Sequence, residues 1–412
     1  MSTPPSAAPA GAVAPALRKV RPAFIAQAGL IGSALAIYVL VLAQAGLHHQ
    51  DLDAYLTAGR AIWQGQPLYT PFLHHPFPDP TLRPAFIYPP VFALVVAPLG
   101  LLPDAAANVV WLLVGQASLA VALLLTVRWL RPSAGAVTAI LCATLTFYPL
   151  WVDAVQGQAN LLILLLLTAG IAGIMRGKPS FGVALGAAAA LKLTPIILLV
   201  WLLLDRRTRE AAWMIGGFAA VTATAALFRF QDTLVFFGQV LPALAAGTAY
   251  YANQSLAGVV FRLFSANPYT TPWLALSWAS LLPAAGAILL GALWFVRTVH
   301  QPALVRAIAF IPLLPLLSTV TWPHHLVLLL PVFWIAAVAL AKRDWPVAPT
   351  VAAAGLLLLF SVVTRWTVGP AFGQPGFSAA QTTDVMVFVV ANAFFLGTLI
   401  LFLLAPWLLR SR

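Results

Sequence analysis

Two carboxylates, Asp51 and Asp53, follow the first long apolar run of the sequence, in the stretch HHQDLDAYLTAGRAIWQGQPLYTP (48–71). The chain has only 10 acidic residues among 412, so this close pair stands out. A carboxylate can act as a general base toward the hydroxyl of a sugar or a lipid. An Asp-x-Asp pattern can instead hold a metal that bridges a nucleotide diphosphate, or it can begin a solvated loop. The two residues alone leave these three interpretations open.

A lysine, Lys192, interrupts the apolar segment 179–204, and a proline follows at Pro195. Proline inside a helix removes a backbone hydrogen bond, so we predict two short helices with a break between them. A charged side chain inside the bilayer costs roughly 2.5–3.5 kcal/mol on insertion scales. Lys192 either extends to an interface or is a cation that binds an anionic ligand. An intramembrane phosphate fits the second interpretation best.

An aromatic and histidine motif occurs in the stretch STVTWPHHLVLLLP (318–331), which carries Trp322, His324 and His325. Adjacent histidines do not share a helix face, and their spacing matches no zinc motif. We therefore predict no metal and no cofactor here. A phosphate or a sugar is the favoured partner of these side chains.

Two further motifs are rich in amides. Asn253 and Gln254 precede Arg262; the amides suit sugar hydroxyls and the guanidinium suits a phosphate. Gln158 and Asn160 form a similar but weaker motif, which can equally be a polar helix start.

The composition indicates that these groups are positioned by membrane helices. The chain is 62% hydrophobic and 8% charged, whereas about a quarter of the residues of a soluble domain are charged. The predicted fold class is an all-α polytopic membrane protein. The positive-inside rule explains the net charge of +12, so no nucleic-acid partner is predicted. The single cysteine, Cys142, permits no internal disulfide.

Apolar runs of about 20 residues predict the transmembrane helices. With 179–204 counted as two short spans, the chain has about twelve spans. The others are predicted at 24–46, 104–130, 134–151, 158–175, 210–228, 273–297, 303–319, 324–341, 347–364 and 384–408. This count places the Lys and Arg clusters between spans on one side, which the rule assigns to the cytoplasm. An unsplit 179–204 helix would place Arg206, Arg207 and Arg209 on the other side.

The domain organisation follows from this topology. Residues 1–22 are predicted to be a disordered cytoplasmic N-terminus, and residues 23–410 a single transmembrane domain. Its long outer loops are 47–103 and 229–272.

Each of these loops contains an apolar, Pro-bounded piece, Tyr88 to Pro98 and Thr233 to Pro242. Both are too short to span the bilayer, so we predict helices that lie in the membrane interface. No nucleotide sugar is available at the outer face, which disfavours the metal interpretation of the two aspartates.

Six motifs occur in order between about residues 45 and 345. They are Asp51-Leu-x-x-Tyr55 with Gly65-x-Pro67-Leu68-Tyr69, Phe86-x-Tyr88-Pro89-Pro90 with Pro98-Leu99, Gly157-Gln158-x-Asn160, Lys192-x-x-Pro195, Asn253-Gln254-Ser255-Leu256 with Arg262, and Ser318-x-x-x-Trp322-x-His324-His325. Together they resemble glycosyltransferase family 87, polyprenyl-phosphate-sugar-dependent enzymes of the GT-C superfamily that include mannosyltransferases.

The resemblance implies a GT-C fold whose first outer loop carries the catalytic carboxylate, which falls on Asp51, while an exchange of roles with Asp53 stays open. The candidates for binding the donor phosphate are Lys192, Arg262, His324 and His325. The candidates for binding substrate are Asp53, Tyr55, Arg60, Tyr88, Gln158, Asn160, Asn253, Gln254 and Trp322.

The expected function is inverting transfer of a sugar, first of all mannose, from a polyprenyl-phosphate carrier to a glycolipid or polysaccharide hydroxyl. The expected location is the extracytoplasmic face of a bacterial plasma membrane. Two alternatives stay open: a polyprenyl-phosphate arabinofuranosyltransferase of the same family, and a flippase or transporter of lipid-linked sugars. A flippase predicts polar residues near the midplane with access from both sides, whereas the sequence places them at one face.

Overall fold

The computed structural model describes residues 22–45, 50–74, 85–361 and 384–410, and these residues are predominantly helical. The first half of the chain forms α1 (Pro22–Ala45), α2 (Gln50–Gln64), α3 (Thr70–His74), α4 (Pro90–Val96), α5 (Asp104–Leu130), α6 (Ala134–Leu145), α7 (Tyr148–Gln156), α8 (Asn160–Met175), α9 (Gly182–Leu191), α10 (Leu198–Leu204) and α11 (Thr208–Phe228). The predicted disorder concerns residues 1–22, which lie outside the described residues apart from Pro22.

The second half of the described chain is also helical. It forms α12 (Phe230–Val235), α13 (Leu241–Ala245), α14 (Leu256–Phe264), α15 (Leu282–Thr298), α16 (Ala303–Phe310), α17 (Leu313–Leu317), α18 (Leu330–Ala341), α19 (Val347–Leu359), α20 (Val385–Ala391) and α21 (Ala393–Leu408). In the described ranges the one β-type contact is an isolated bridge between Phe147 and Ser361. The all-α prediction is confirmed for these ranges.

Several helices are long and apolar enough to cross a bilayer. Five qualify in the described chain, or six when α20 and α21, bent by 70° at Asn392, count as one span. They are Phe24–Ala43, Asp104–Leu130, Thr208–Phe228, Ala279–Thr298 and Pro323–Ala341, with 385–408 as the sixth. The chain is therefore a multi-pass membrane protein. Other predicted spans are shorter or broken helices, so the structure does not confirm the count of twelve.

The segment 179–204 is broken where the sequence predicted it. Helix α9 ends at Leu191, Lys192 has an extended backbone (φ −150°, ψ 118°), and a 3-10 turn over Thr194–Ile197 leads into α10. Ten residues of α9 rise only ~15 Å, about half the thickness of the bilayer core. Lys192 thus lies at the tip of the segment, between two short helices.

Helix α9 runs parallel to α11, which shows that the chain reverses direction at this break. Gly182 lies beside Glu210, and Gly186 lies beside Met214 and Phe218. Both helices therefore start at the same end of the bundle. A continuous 179–204 helix would have placed Gly182 and Glu210 at opposite ends.

Glycines bring α9 and α11 into backbone contact. A Cβ on Gly186 would collide with backbone atoms of Met214 and Phe218, and a Cβ on Gly217 would lie 2.8 Å from the carbonyl oxygen of Val183. Small residues at such crossings let membrane helices pack closely where burial from water provides little driving force.

The end of the bundle where α9 and α11 start also carries buried ion pairs. Asp205 accepts hydrogen bonds from the Arg306 guanidinium, and Arg207 lies 4.0 Å from the same carboxylate. The loop after α10 and the start of α16 therefore meet. The predicted topology requires this contact, because it places the basic residues after α10 and those at the start of α16 on the same side of the membrane.

The segment that begins with His324 forms the centre of the bundle. Over Pro323–Ala341, 89% of the apolar window is buried, against 11–28% for the other four long spans. Those four have large exposed apolar surfaces, whereas this segment is surrounded by protein.

The two apolar pieces of the outer loops are helical, as predicted. Helix α4 is mostly buried against α2, with Phe92 and Val96 fully buried, so it belongs to the core of the first outer loop. The second piece continues from α12 through a π-helical turn over Phe236–Val240 into α13, and it exposes Leu234 and Phe237 on one face.

Candidate active site

Helix α2 presents Asp51 to the interior and Asp53 to the outside. Leu52, Tyr55 and Leu56 are buried and form the inner face of this amphipathic helix. Asp51 is half-buried beside them, whereas Asp53 is exposed. The two aspartates have different environments although they are two positions apart.

The carboxylate of Asp51 has a defined partner: its Oδ2 accepts a hydrogen bond of 2.6 Å from Nε2 of Gln158. Burial raises the pKa of Asp51 above its ordinary value, while the bond from Gln158 and the charge of Lys192 act in the opposite direction. A partly desolvated carboxylate with a raised pKa is a stronger base than a solvated one.

Gln158 connects Asp51 to two tyrosines. Its Oε1 accepts hydrogen bonds from the hydroxyls of Tyr88 at 2.8 Å and Tyr55 at 3.1 Å. Because the tyrosines donate to one amide oxygen, the amide nitrogen is turned toward Asp51. Gly157, with φ 69° at the end of α7, allows the sharp turn that presents Gln158 here.

Lys192 is the cation of this network. Its Nζ donates to Oδ1 of Asn160 at 2.7 Å and to the Tyr88 hydroxyl at 3.3 Å, and it lies 5.2 Å from the centre of the Tyr88 ring. Lys192 lies at the tip of the helical hairpin formed by α9 and α10. Its ammonium group thus contacts the Tyr88 hydroxyl, which also contacts Gln158. Asp51 and Lys192 are joined through two intervening side chains.

Asp153 joins the same hydrogen-bond network and was not among the residues predicted from the sequence. Its Oδ1 accepts a 2.7 Å hydrogen bond from Nδ2 of Asn160, and the carboxylate is fully buried. Its Oδ2 has no hydrogen-bond partner among the described residues. The available signal was an acidic residue four positions before the Gly157-Gln158 motif in a chain with very few acids.

The histidine pair borders the same network. Asn160 Nδ2 lies 3.4 Å from the carbonyl oxygen of His324, and the rings of His324 and His325 are 4.6 Å apart. His324 is buried, and within the described ranges neither of its ring nitrogens has a hydrogen-bond partner. Nδ1 of His325 accepts from the backbone N–H of Trp322 at 3.3 Å. His324 therefore keeps an unused hydrogen-bonding capacity beside Lys192.

Arg262, which the sequence suggested for donor phosphate, is fully buried in a different setting. Its guanidinium donates to the carbonyls of Tyr250 and Asn253, at 2.9 Å each, and to Oδ1 of Asn392 at 2.6 Å. Buried polar groups in proteins are generally hydrogen-bonded, and these bonds connect α14 to the chain around Tyr250 and Asn392. No described contact joins Arg262 to Lys192.

The amides of the same motif also bind the backbone. Asn253 accepts from the N–H groups of Ser255 and Thr321, and Gln254 donates to the carbonyl of Ala391 at 3.0 Å. The bond from Thr321 holds the chain before α14 against the segment that leads to the histidines, and the bond to Ala391 holds it against α20. The structure gives these two amides supporting contacts rather than free groups for substrate.

Two other predicted residues lie away from the network. Arg60 pairs with Asp104 at the protein surface, with side chains 39% and 67% exposed. The half-buried Trp322 contacts the Tyr250 ring edge-on at 5.8 Å. The structure thus brings together Asp51, Tyr55, Tyr88, Gln158, Asn160, Lys192 and the histidine pair, with Asp153 added.

The arrangement offers a base, a cation and a set of neutral donors within one connected cluster. In the described part of the chain, no three His, Cys, Asp or Glu side chains form a group that could hold a metal ion. The chemistry that the side chains themselves support is deprotonation of a hydroxyl and binding of an anion.

Comparison with known proteins identifies relatives. The model of glycosyltransferase family 87 matches residues 86–319. A polyprenol-phosphate-mannose-dependent alpha-(1-2)-phosphatidylinositol mannoside mannosyltransferase of Mycobacterium tuberculosis (strain ATCC 25618 / H37Rv) is 29% identical over 77% of this chain and 75% of its own. The corresponding pentamannoside mannosyltransferase of Mycobacterium tuberculosis (strain CDC 1551 / Oshkosh) is 28% identical over 95% of this chain and 90% of its own.

Solved structures of ArnT from Cupriavidus metallidurans also align with this chain. The apo form and the form bound to undecaprenyl phosphate both have a TM-score of 0.44, at 17% and 16% identity. Each alignment covers 93% of this chain and 77% of ArnT.

Proposed function

The chain belongs to glycosyltransferase family 87, and from this premise we propose that it transfers mannose from a polyprenyl-phosphate carrier to a hydroxyl of a glycolipid or polysaccharide. The choice of mannose rests on the relatives, which are named as polyprenol-phosphate-mannose-dependent enzymes. The proposal includes a GT-C fold of about twelve spans. It also places the site on the extracytoplasmic face of a bacterial plasma membrane.

The observation that carries the proposal is the chain of hydrogen bonds from Asp51 through Gln158 and Tyr88 to Lys192. Transfer from a lipid phosphate needs a base for the acceptor hydroxyl and a positive charge for the leaving phosphate. The network supports the proposal because it holds one of each at its two ends.

In the proposed mechanism, Asp51 removes the proton from the acceptor hydroxyl while that oxygen attacks C1 of the sugar. The bond between C1 and the phosphate oxygen breaks, and both electrons leave with the phosphate. Attack from the opposite side inverts the anomeric centre. The products are the new glycoside, protonated Asp51 and a polyprenyl phosphate monoester.

Lys192 contributes most at the transition state. The phosphate changes from a singly charged diester toward a more negative monoester, so attraction to the ammonium increases as the bond breaks. His324 and His325 provide further polar contacts at this end, and Asn160 holds the ammonium in place. No metal is needed if these groups suffice.

The deciding experiment incubates purified protein with polyprenyl-phosphate-mannose and a panel of glycolipid and polysaccharide acceptors, and detects product by mass spectrometry. Asp51→Asn retains the shape of the carboxylate but not its basicity, and it should lower kcat at least about 100-fold while donor binding persists. Asp53→Asn separates the two aspartates, and Asp104→Asn controls for loss of a surface carboxylate. Wild-type turnover in Asp51→Asn would refute the mechanism.

The same assay separates the alternatives. A polyprenyl-phosphate-arabinofuranose donor tests the other sugar. A flippase would move lipid-linked sugar across a vesicle membrane without releasing polyprenyl phosphate, which would refute the proposed transfer.

A further inference from the structure

A second cluster of buried polar contacts lies beside the site, where the first outer loop meets the start of the 229–245 segment. Asp232 is buried and its Oδ1 accepts a 3.0 Å hydrogen bond from the backbone N–H of Leu68. Its Oδ2 accepts from Nε of Arg229 at 2.7 Å. Arg229 in turn donates through Nη2 to the carbonyl oxygen of Gln66. Two side chains from one loop thereby bind the backbone of the other at both sides of Pro67.

The turn fixed in this way carries Tyr69, which is almost fully buried. The Tyr69 hydroxyl donates a 2.7 Å hydrogen bond to the carbonyl oxygen of Tyr88. Its ring lies between Phe86 and Phe236, with both ring centres 5.8 Å away. Tyr69 therefore holds the main chain of Tyr88 and also contacts the π-helical turn after α12.

Tyr88 connects these supporting contacts to the proposed active site. Its hydroxyl donates to Gln158 and accepts from Lys192, so it lies between the proposed base and the proposed cation. A displacement of the Tyr88 backbone would move both contacts together. Misplacement of about 1 Å by a distant mutation can cost on the order of 100-fold in rate.

We propose that Asp232 and Arg229 are positioning residues: by clamping residues 66–68, they hold Tyr69 against Tyr88 and so fix the spacing between Asp51 and Lys192. The inference rests on the proposed function, because it assigns a role within that site. It also gives the Gly65-x-Pro67-Leu68-Tyr69 motif a physical purpose, since its backbone is the surface that the clamp binds.

A purely structural role for the clamp predicts a different outcome. In that case Asp232 would support overall stability, and its loss would combine independently with changes at Tyr88. If the clamp acts through Tyr88, removing the Tyr88 hydroxyl removes most of what the clamp positions. The two roles are therefore separated by a double-mutant cycle between residues that do not touch.

The experiment measures kcat and KM for Asp232→Ala, Tyr88→Phe and the double variant. We expect Asp232→Ala to lower kcat about 10- to 100-fold with a smaller change in the donor KM. In the Tyr88→Phe background, Asp232→Ala should lower kcat by less than about 3-fold. Independent, multiplicative losses would overturn the inference.

Two further variants test the clamp should Asp232→Ala fold poorly. Tyr69→Phe leaves the clamp intact but removes its bond to Tyr88, and it should lower kcat as Asp232→Ala does. Asp232→Asn keeps an acceptor for the backbone N–H of Leu68 and loses the charge that binds Arg229. Its kcat should therefore lie between those of the wild type and Asp232→Ala. Wild-type turnover in Tyr69→Phe would overturn the inference.

A readout that needs no transfer activity keeps the inference separate from the proposed function. Hydrogen exchange of the backbone N–H groups in 85–92 should quicken in Asp232→Ala. Asp104→Ala serves as the control, since it breaks the surface ion pair between Arg60 of the same outer loop and the start of α5. Unchanged exchange in 85–92 would refute the clamp even if sugar transfer were established. Faster exchange in a protein that transfers no sugar would refute only the function.

Discussion

Replacing Lys192 by glutamine is the sharpest perturbation of the site. The substitution keeps a hydrogen-bonding side chain of similar length at the hairpin tip and removes one positive charge. Glutamine can still donate to Asn160, whose Oδ1 lies 2.7 Å from the lysine nitrogen. The loss then reports on charge rather than on packing.

The size of the effect follows from the change in charge during the reaction. Two unit charges about 4 Å apart interact by about 4 kcal/mol at an effective dielectric constant of about 20. The leaving phosphate gains up to one negative charge, so between half of that energy and all of it applies selectively to the transition state. About 2–4 kcal/mol corresponds to a loss of about 30- to 1000-fold in kcat.

The assay is initial-rate transfer from polyprenyl-phosphate-mannose, with donor affinity measured separately by binding to the detergent-solubilised protein. Lys192→Arg retains the charge with a different shape and should recover part of the rate. Lys178→Gln removes an exposed lysine and controls for net charge. If Lys192→Gln kept kcat within about 3-fold of wild type and bound donor normally, leaving-group stabilisation by this residue would be refuted.

Three other perturbations test separate parts of the site. Asp51 must be ionised to accept a proton, and burial raises its pKa; kcat should therefore fall as pH decreases through a value above that of an ordinary aspartate. The acid limb should move to higher pH in Lys192→Gln, because that variant loses the cation that lowers the pKa; a limb that stays fixed would count against the pairing. Asp153→Asn keeps an acceptor for Asn160, whereas Asp153→Ala lets the Asn160 side chain turn its oxygen away from Lys192. We expect kcat to be about tenfold lower in Asp153→Ala than in Asp153→Asn. Equal kcat values would show that Asp153 does not orient Asn160. Arg262→Ala should destabilise the protein by about 2–5 kcal/mol in thermal unfolding, because it leaves buried carbonyls and Asn392 without their hydrogen-bond donor. Normal stability with weakened binding of the sugar donor would show instead that Arg262 binds that substrate.

The sequence was sufficient for the helical class, and it also named four side chains that meet in the structure. Apolar runs gave the long helices, and Lys192 with Pro195 gave the break, because both signals are local. Asp51, Tyr88, Gln158 and Lys192 were all candidates, and the structure joins them by hydrogen bonds.

Other features depend on tertiary contacts that local patterns do not encode. Arg262 and the amides beside it look like ligand-binding groups in sequence, yet their partners are carbonyls from distant segments. Asp153 could be assigned only once Asn160 was seen to face it. The predicted count of twelve spans rests on the lengths of apolar runs, whereas several of these runs fold as bent or interrupted helices in the described chain.

The backbone contact of α9 with α11 has a consequence for how this site can diversify. Since Gly186 and Gly217 allow these helices to touch, the height of Lys192 along the bundle is set by the contact of α9 with the long helix α11. The outer loops can change length and sequence to suit new acceptors without altering that height. Among related chains, small side chains at positions 186 and 217 should therefore persist where the sequences of the outer loops diverge.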